Sequence, residues 1–239
     1  MFKIAVVGWP RSGTSWLERL ISHYLDGPGV VPWTQHHHPD PHPRVSKVHQ
    51  MNATEIEDII SSGGKIIFIA RDPRDIAVSE YFFLHGREYS VTDASLYDYL
   101  HTVFTTARGG WKEYTQKWLE IASENDSVAM TFHEILWGYR KEELEGILQD
   151  IGIEPNLSWI QHAANVSRTF DGTRPAYSRT QDWRDENLPA LSGLPGEWRK
   201  HFTWKEACFL EGYCGDLIKR LGYGIGYRDG ESWTELLSR

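Results

Sequence analysis

The sequence predicts an α/β fold of three layers, α/β/α, built around a mainly parallel central sheet and opening with a strand–loop–helix of the phosphate-loop-like kind. Three observations predict it. Short β-branched, apolar runs recur along the chain, clearest at residues 65–70 (KIIFIA), bounded by Gly63-Gly64 and by charge. Between these runs lie stretches whose apolar residues fall three and four positions apart, the spacing of a helix face. The first run and the first such stretch are joined only by a short turn containing Gly13.

Taken in order, residues 4–8 read as a buried strand and residues 9–14 as a turn. Residues 15–25 read as a helix, with Trp16, Leu17, Leu20, Ile21, Tyr24 and Leu25 on its apolar face. Residues 26–43, rich in Gly, Pro and His, form a loop, and 45–48 a second strand. Asn52 caps a helix over 54–61. After the strand at 65–70, helix returns at 75–83 and again, as one long segment, at 95–122. A strand at 127–132 precedes a helix at 141–151 that Gly152 closes. Residues 172–195 lack periodicity and read as a long loop, and 204–221 as a final amphipathic helix. With no repeat and no visible boundary, residues 1–239 read as a single domain.

Composition narrows the function classes. Hydrophobic residues at 40% and charged residues at 24% argue against disorder. Lys3 is followed by only five residues, 4–8, before Trp9-Pro10, too short for a signal-peptide apolar region. No run reaches the roughly 20 apolar residues of a membrane span. Cys208 and Cys214 are the only cysteines, too few for a disulfide framework or a thiolate zinc site, so a reduced, cytoplasmic protein is expected. A net charge of −8 argues against nucleic acid or an anionic membrane as partner. It leaves room for a small anion site built from a few local cations and backbone N–H groups. Eleven tryptophans supply core packing and suggest aromatic walls as well.

Gly8-Trp9-Pro10-Arg11-Ser12-Gly13-Thr14-Ser15 stands where a phosphate loop stands, after a strand and opening a helix. Gly13 admits an anion close to the backbone, and the first helical N–H groups carry partial positive charge. Arg11, Ser12, Thr14 and Ser15 add donors; an ordinary strand-to-helix turn is the plainer reading. The spacing approaches that of nucleotide triphosphatases, but Thr14 stands where their lysine would be, and the cation is Arg11 inside the loop. A second anion candidate is Phe68-Ile69-Ala70-Arg71-Asp72-Pro73-Arg74-Asp75-Ile76-Ala77-Val78-Ser79. Arg71 at the end of a strand can fork two hydrogen bonds onto a phosphate, and the helix begun by Pro73 presents Ser79. Read alone, Arg71 and Asp75 could equally be a structural ion pair.

Trp9-Pro10-Arg11-Ser12-Gly13-Thr14-Ser15-Trp16 resembles the 5'-phosphosulfate loop of sulfotransferases that use 3'-phosphoadenosine-5'-phosphosulfate (PAPS). The segment from Phe68 to Tyr81 is similar to that family's 3'-phosphate segment, at the family's usual separation. The resemblance implies transfer of a sulfuryl group from PAPS to a hydroxyl or amine by in-line displacement, with release of the bisphosphate PAP and without a metal. Ser46-Lys47-Val48-His49 resembles the family's Lys-x-His segment, which implies His49 as general base, with Lys47 and Arg11 on the transferring group. Imidazole suits that role, its ordinary pKa lying near neutrality, although a lone histidine is otherwise surface or core. His36, His37, His38 and His42, with Asp40, invite a zinc reading. Adjacent histidines in a proline-rich loop do not converge easily on one ion, and no metal is expected.

Elsewhere the resemblance implies Trp16, Thr169 and Phe170 around the adenine, though Phe170 could equally be core. Gly193-Leu194-Pro195-Gly196-Glu197-Trp198-Arg199 is similar to the family's C-terminal glycine segment, which implies Ser192 and Gly193 at the 3'-phosphate. Two departures stand out. Leu191-Ser192 replaces the Arg-Lys pair that precedes the first glycine in many members, with Arg179 or Arg184 as possible substitutes. Phe132-His133-Glu134 replaces the family's Tyr-Glu-Asp. Aromatic residues in the unassigned stretches, Trp33, Trp111, Tyr177 and Trp183 among them, favour a small-molecule or carbohydrate acceptor, an aromatic one included. The rival readings are a P-loop kinase or NTPase, for which the missing lysine at Thr14 is the objection, and a non-catalytic PAP or nucleotide binder. Neither acceptor identity nor oligomeric state follows from the residues.

Overall fold

The structure is a computed structural model, and it describes residues 3–28, 44–85, 94–168 and 193–224. Among the described residues four strands, β1 (Ile4–Val7), β2 (Val45–Val48), β3 (Lys65–Ala70) and β4 (Val128–Phe132), form one sheet in the order β2-β1-β3-β4. All pairings are parallel, with Val7 opposite Val48 and Phe68. The strands read as unbroken apolar runs because both sheet faces are covered: β1 and five of the six residues of β3 are buried. This is the predicted α/β architecture. Helix α1 (Thr14–Asp26) lies between β1 and β2, α2 (Ala53–Ser61) between β2 and β3, and α3 (Pro73–His85) opens the longer connection from β3 to β4.

Contacts divide the chain into two compact units. The first comprises Met1–Arg71 and Lys117–Thr180, the second Asp72–Gln116 and Gln181–Arg239. In the first, Leu17, Leu20, Ile21 and Tyr24 of α1 pack with Ile4, Val6, Ile67 and Ile69, all buried. Leu144, Ile147 and Leu148 of α7 (Arg140–Asp150) and Ile160 and Ala163 of α8 (Leu157–Arg168) complete that core. Phe68 stacks on Trp118 of α5 (Trp111–Glu124), their ring centres 5.7 Å apart. Asn52 caps α2 as expected, in a reciprocal box with Glu55. The second unit holds α3 and α9 (Trp204–Arg220), the latter capped by Thr203 and kinked at Cys214 (φ −139°).

Three departures from the sequence reading have local causes. The single helix expected over 95–122 is broken into α4 (Leu96–Tyr99), a π turn at Leu100–Phe104, a 3-10 turn at Ala107–Gly109, and α5. Arg108, Gly109 and Gly110 all take positive φ (55°, 84° and 91°), which no helix continues through. Two helices carry no signal strong enough to be read in advance: α6 (His133–Gly138), a short one directly after β4, and α8, which opens at Asn156. Among the described residues no helix is long and apolar enough to cross a membrane.

Candidate functional site

Each strand of a parallel sheet ends on the same edge, and here each end delivers one polar feature: Gly8 after β1, His49 after β2, Arg71 after β3 and His133 after β4. The carboxyl edge is where open α/β sheets bind ligands.

The loop after β1 is tightly folded. The Ser12 N–H donates to the Trp9 carbonyl at 3.0 Å. A Cβ on Gly8 would lie 2.5 Å from Ser12 Oγ and 2.7 Å from the Ile69 carbonyl, so only glycine lets the loop lie against β3. Arg11 and Gly13 are both left-handed, at φ 71° and 98°. The conformation is natural for Gly13 and costs roughly 1 kcal/mol for Arg11. Gly13 is the N-cap of α1 and offers no side chain to the first helical N–H groups. A turn of this kind is a nest for an anion. Ser12 is 1% exposed, and among the described residues its Oγ has no hydrogen-bond partner.

His49 and Lys47 lie across the loop from opposite ends of one short segment. His49 Nδ1 is 2.9 Å from the Gly8 carbonyl. A carbonyl only accepts, so Nδ1 carries the proton and Nε2 is the basic nitrogen. Lys47 Nζ donates to Ser15 Oγ at 2.9 Å, and its N–H to Glu18 Oε1 at 3.1 Å, which places the ammonium over the first turn of α1. Arg71, buried at the end of β3, donates from Nη1 to the Arg11 carbonyl at 2.9 Å and so braces the loop.

His133 forms the other wall of the loop. Its Cδ2 lies 2.7 Å from where a Gly13 Cβ would be, so Gly13 is required twice, for its φ and for this approach. The ring is buried, and among the described residues its Nδ1 has no hydrogen-bond partner. Burial, seconded by the nearby charge of Arg71, holds it well below the ordinary histidine range, hence neutral. Trp16 meets His133 edge-on at 5.6 Å and Trp137 at 6.1 Å, and the guanidinium of Arg140 sits 5.3 Å from the Trp16 ring centre. Trp16 is thereby fixed, half-buried, one turn into α1.

Within the second unit, Ser79 is buried in α3 and Gly193 is left-handed (φ 75°) with its N–H on Glu197 Oε2 at 2.9 Å. Asp75 engages backbone donors. Its two oxygens accept from the N–H groups of Gly196 (2.7 Å) and Trp198 (2.9 Å). Arg74 forks onto Asp72 at 2.7 and 2.9 Å and lies over the Trp198 ring. Burial opposes its charge, but Asp72 and Asp75 outweigh that and hold it above its ordinary value.

Of the residues singled out from sequence, the first unit brings together Arg11, Ser12, Gly13, Thr14, Ser15, Trp16, Lys47, His49 and Arg71. The second contains Ser79 and Gly193. Thr169, Phe170, Ser192, Arg179, Arg184 and the His36–His42 cluster lie outside the described residues. Among the described residues no three His, Cys, Asp or Glu side chains are grouped to hold a metal. Sequence reasoning missed the roles of Asp75, Trp137 and Arg140. The acidic residue in the first turn of α3 was the one available signal.

The orphaned Ser12 Oγ and His133 Nδ1, with the uncapped start of α1, fit a ligand bearing phosphate or sulfate groups. Comparison with known proteins agrees. A family model described as the sulfotransferase domain matches residues 32–222. Sulfotransferase 1A1 of the dog (Canis lupus familiaris) is 23% identical over 92% of this chain and 84% of its own. The 3-beta-hydroxysteroid sulfotransferase of Cavia porcellus is 24% identical over 84% and 78%. Among solved structures, a mouse sulfotransferase complexed with PAP superposes with a TM-score of 0.67 at 22% identity, covering 91% of this chain and 84% of that one. Retinol dehydratase in complex with androsterone and the inactive cofactor PAP gives 0.70 at 14% identity, over 97% and 83%. At these identities the structural likeness is one of fold.

Proposed function

The chain belongs to the sulfotransferase domain family, and from that premise we propose how its own residues carry out the transfer. It is a sulfotransferase, and the donor is PAPS, which supplies an activated sulfuryl group and leaves as PAP. The observation that carries the assignment is the loop 8–15: a nest at a helix start, with a buried hydroxyl awaiting a partner.

In this reading the N–H groups at the start of α1, with Ser12, Thr14 and Ser15, hold the 5' end of the donor, and Trp16 gives its ring to the adenine. Thr169 and Phe170 are assigned to the same base, and Arg71, Ser79, Ser192 and Gly193 to the 3'-phosphate. His49 Nε2 takes the acceptor's proton. Its Nδ1–H bond to Gly8 sets the tautomer and aims the ring, as a backbone carbonyl does for many catalytic histidines. Lys47, shared with Ser15, and Arg11 carry the charge that builds on the bridging oxygen as the S–O bond breaks.

The acceptor is a small molecule with a hydroxyl or amine, and an apolar, ring-bearing alcohol or phenol is the class we favour over a sugar. Support comes from a relative named for a 3-beta-hydroxysteroid and from the androsterone and retinol complexes of retinol dehydratase. Free Cys208 and Cys214 fit a reduced, cytoplasmic setting.

Melting temperature measured alone, with PAP, and with ATP–Mg²⁺ tests the donor assignment. A ligand at about 100 times its Kd adds roughly 2.7 kcal/mol, which for a chain of this size is about 5–10 °C. PAP is expected to produce that rise without metal. A rise with ATP–Mg²⁺ and none with PAP would return the protein to phosphoryl transfer.

A further inference from the structure

Asp75 and Ser79 stand four residues apart in α3 and so share one face of the helix. Both are buried. The Asp75 carboxylate is engaged by two backbone donors, Gly196 N–H at 2.7 Å and Trp198 N–H at 2.9 Å. The turn it grips is itself closed. Gly193 donates to Glu197 Oε2 at 2.9 Å, and Gly193 and Gly196 are both left-handed, at φ 75° and 80°. Trp198, fully buried, anchors the far end, with Arg74 at 4.3 Å and Arg199 at 4.6 Å from its ring centre.

We infer that Asp75 is the positioning residue of 3'-phosphate recognition, holding the Gly193–Gly196 turn beside Ser79 so that helix and turn serve one phosphate. The inference rests on the reading of α3 and Gly193 as 3'-phosphate elements. A carboxylate near a phosphate would ordinarily repel it. Here both oxygens carry N–H donors, so Asp75 contributes geometry, and its charge is offset by the peptide dipoles and by Arg74. The arrangement also explains how a chain with Leu191-Ser192 before the first glycine can keep a 3'-phosphate site: a fixed turn compensates in placement for what it lacks in charge.

The test is Asp75→Asn, which keeps the shape. The amide oxygen can hold one N–H, but the amide nitrogen meets the other as donor against donor. Affinities for PAP and for adenosine 5'-phosphate, which lacks the 3'-phosphate, are measured by calorimetry on the wild-type chain and the variant. PAP is expected to weaken roughly tenfold or more, as for loss of a charged hydrogen bond, while adenosine 5'-phosphate changes by less than about twofold. Ser79→Ala should show the same selectivity, and the double variant should lose less than the product of the two. Equal weakening of both ligands, or of neither, overturns the inference. Should Asp75→Asn not fold, Glu197→Ala, which opens the same turn at Gly193, must show the same selective loss or the inference falls. Wild-type protein with no preference for PAP over adenosine 5'-phosphate would overturn the 3'-phosphate reading itself.

Discussion

Two glycine turns lie at the heart of this protein, and they treat their polar groups in opposite ways. The turn before α1 leaves them waiting. Gly13 gives α1 no side-chain cap, and among the described residues Ser12 Oγ is buried without a partner, as is His133 Nδ1 against the same glycine. The turn from Gly193 to Lys200 has three of its backbone donors taken up by carboxylates. Glu197 takes the Gly193 N–H, and Asp75 takes those of Gly196 and Trp198. An unsatisfied buried group costs about 1–3 kcal/mol, so the first turn is held at a cost that a ligand can recover. The second is scaffold already at rest. The two turns thus differ in how their backbone donors are met.

The largest effect expected from testing this contrast is chemical. His49→Ala removes the group tethered to the waiting turn at Gly8, and turnover should fall by about 10²–10⁴-fold, the usual worth of a general base. PAP affinity, read by calorimetry, should stay within a few-fold; surviving turnover would put the base elsewhere. A paired comparison sharpens the contrast at intermediate size. Ser12→Ala should leave the ligand-free protein as stable as before or more so, by up to about 1 kcal/mol, and weaken PAP by about as much. Glu197→Ala should do the reverse to the ligand-free protein, lowering its stability by about 1 kcal/mol as the Gly193 N–H loses its carboxylate acceptor. Denaturant melts of the two variants decide it. Matching losses would erase the distinction between the turns.

The smallest effect is one of pH. His133 is neutral in the fold because burial depresses its pKa well below 6.5. The unfolded chain therefore takes up a proton first as pH falls through 6.5, and stability declines by up to about 1.4 kcal/mol per pH unit below it. His201 beside the second turn is also depressed, by burial, but it is less enclosed and should contribute less. His133→Phe should flatten the decline between pH 6.5 and 5. An unchanged slope would mean that His133 is not the group responsible.

Much of this was legible in the residues because local signals were strong. The run KIIFIA read clearly as a strand, and Asn52 announced α2 by its cap. The loop 8–15 declared itself through Gly13 and its placement after a strand. What escaped depended on partners far along the chain. Asp75 finds Gly196 and Trp198 across 121 and 123 residues, and no spacing rule connects them. Arg140 reaches the Trp16 ring in the same way. The break in the expected long helix was missed for a different reason. Gly109-Gly110 was visible, but the positive φ that Arg108 adopts with them was not.

The left-handed Arg11 bears on how this enzyme could be improved by selection. Glycine at that position would relax a backbone held about 1 kcal/mol above its preference. A library sorted only for heat resistance would therefore drift toward glycine at residue 11, gaining degrees of melting temperature while discarding a cation from the turn we assign to the donor. On that assignment robustness and turnover pull against one another at this single residue, and any screen must score both to keep it.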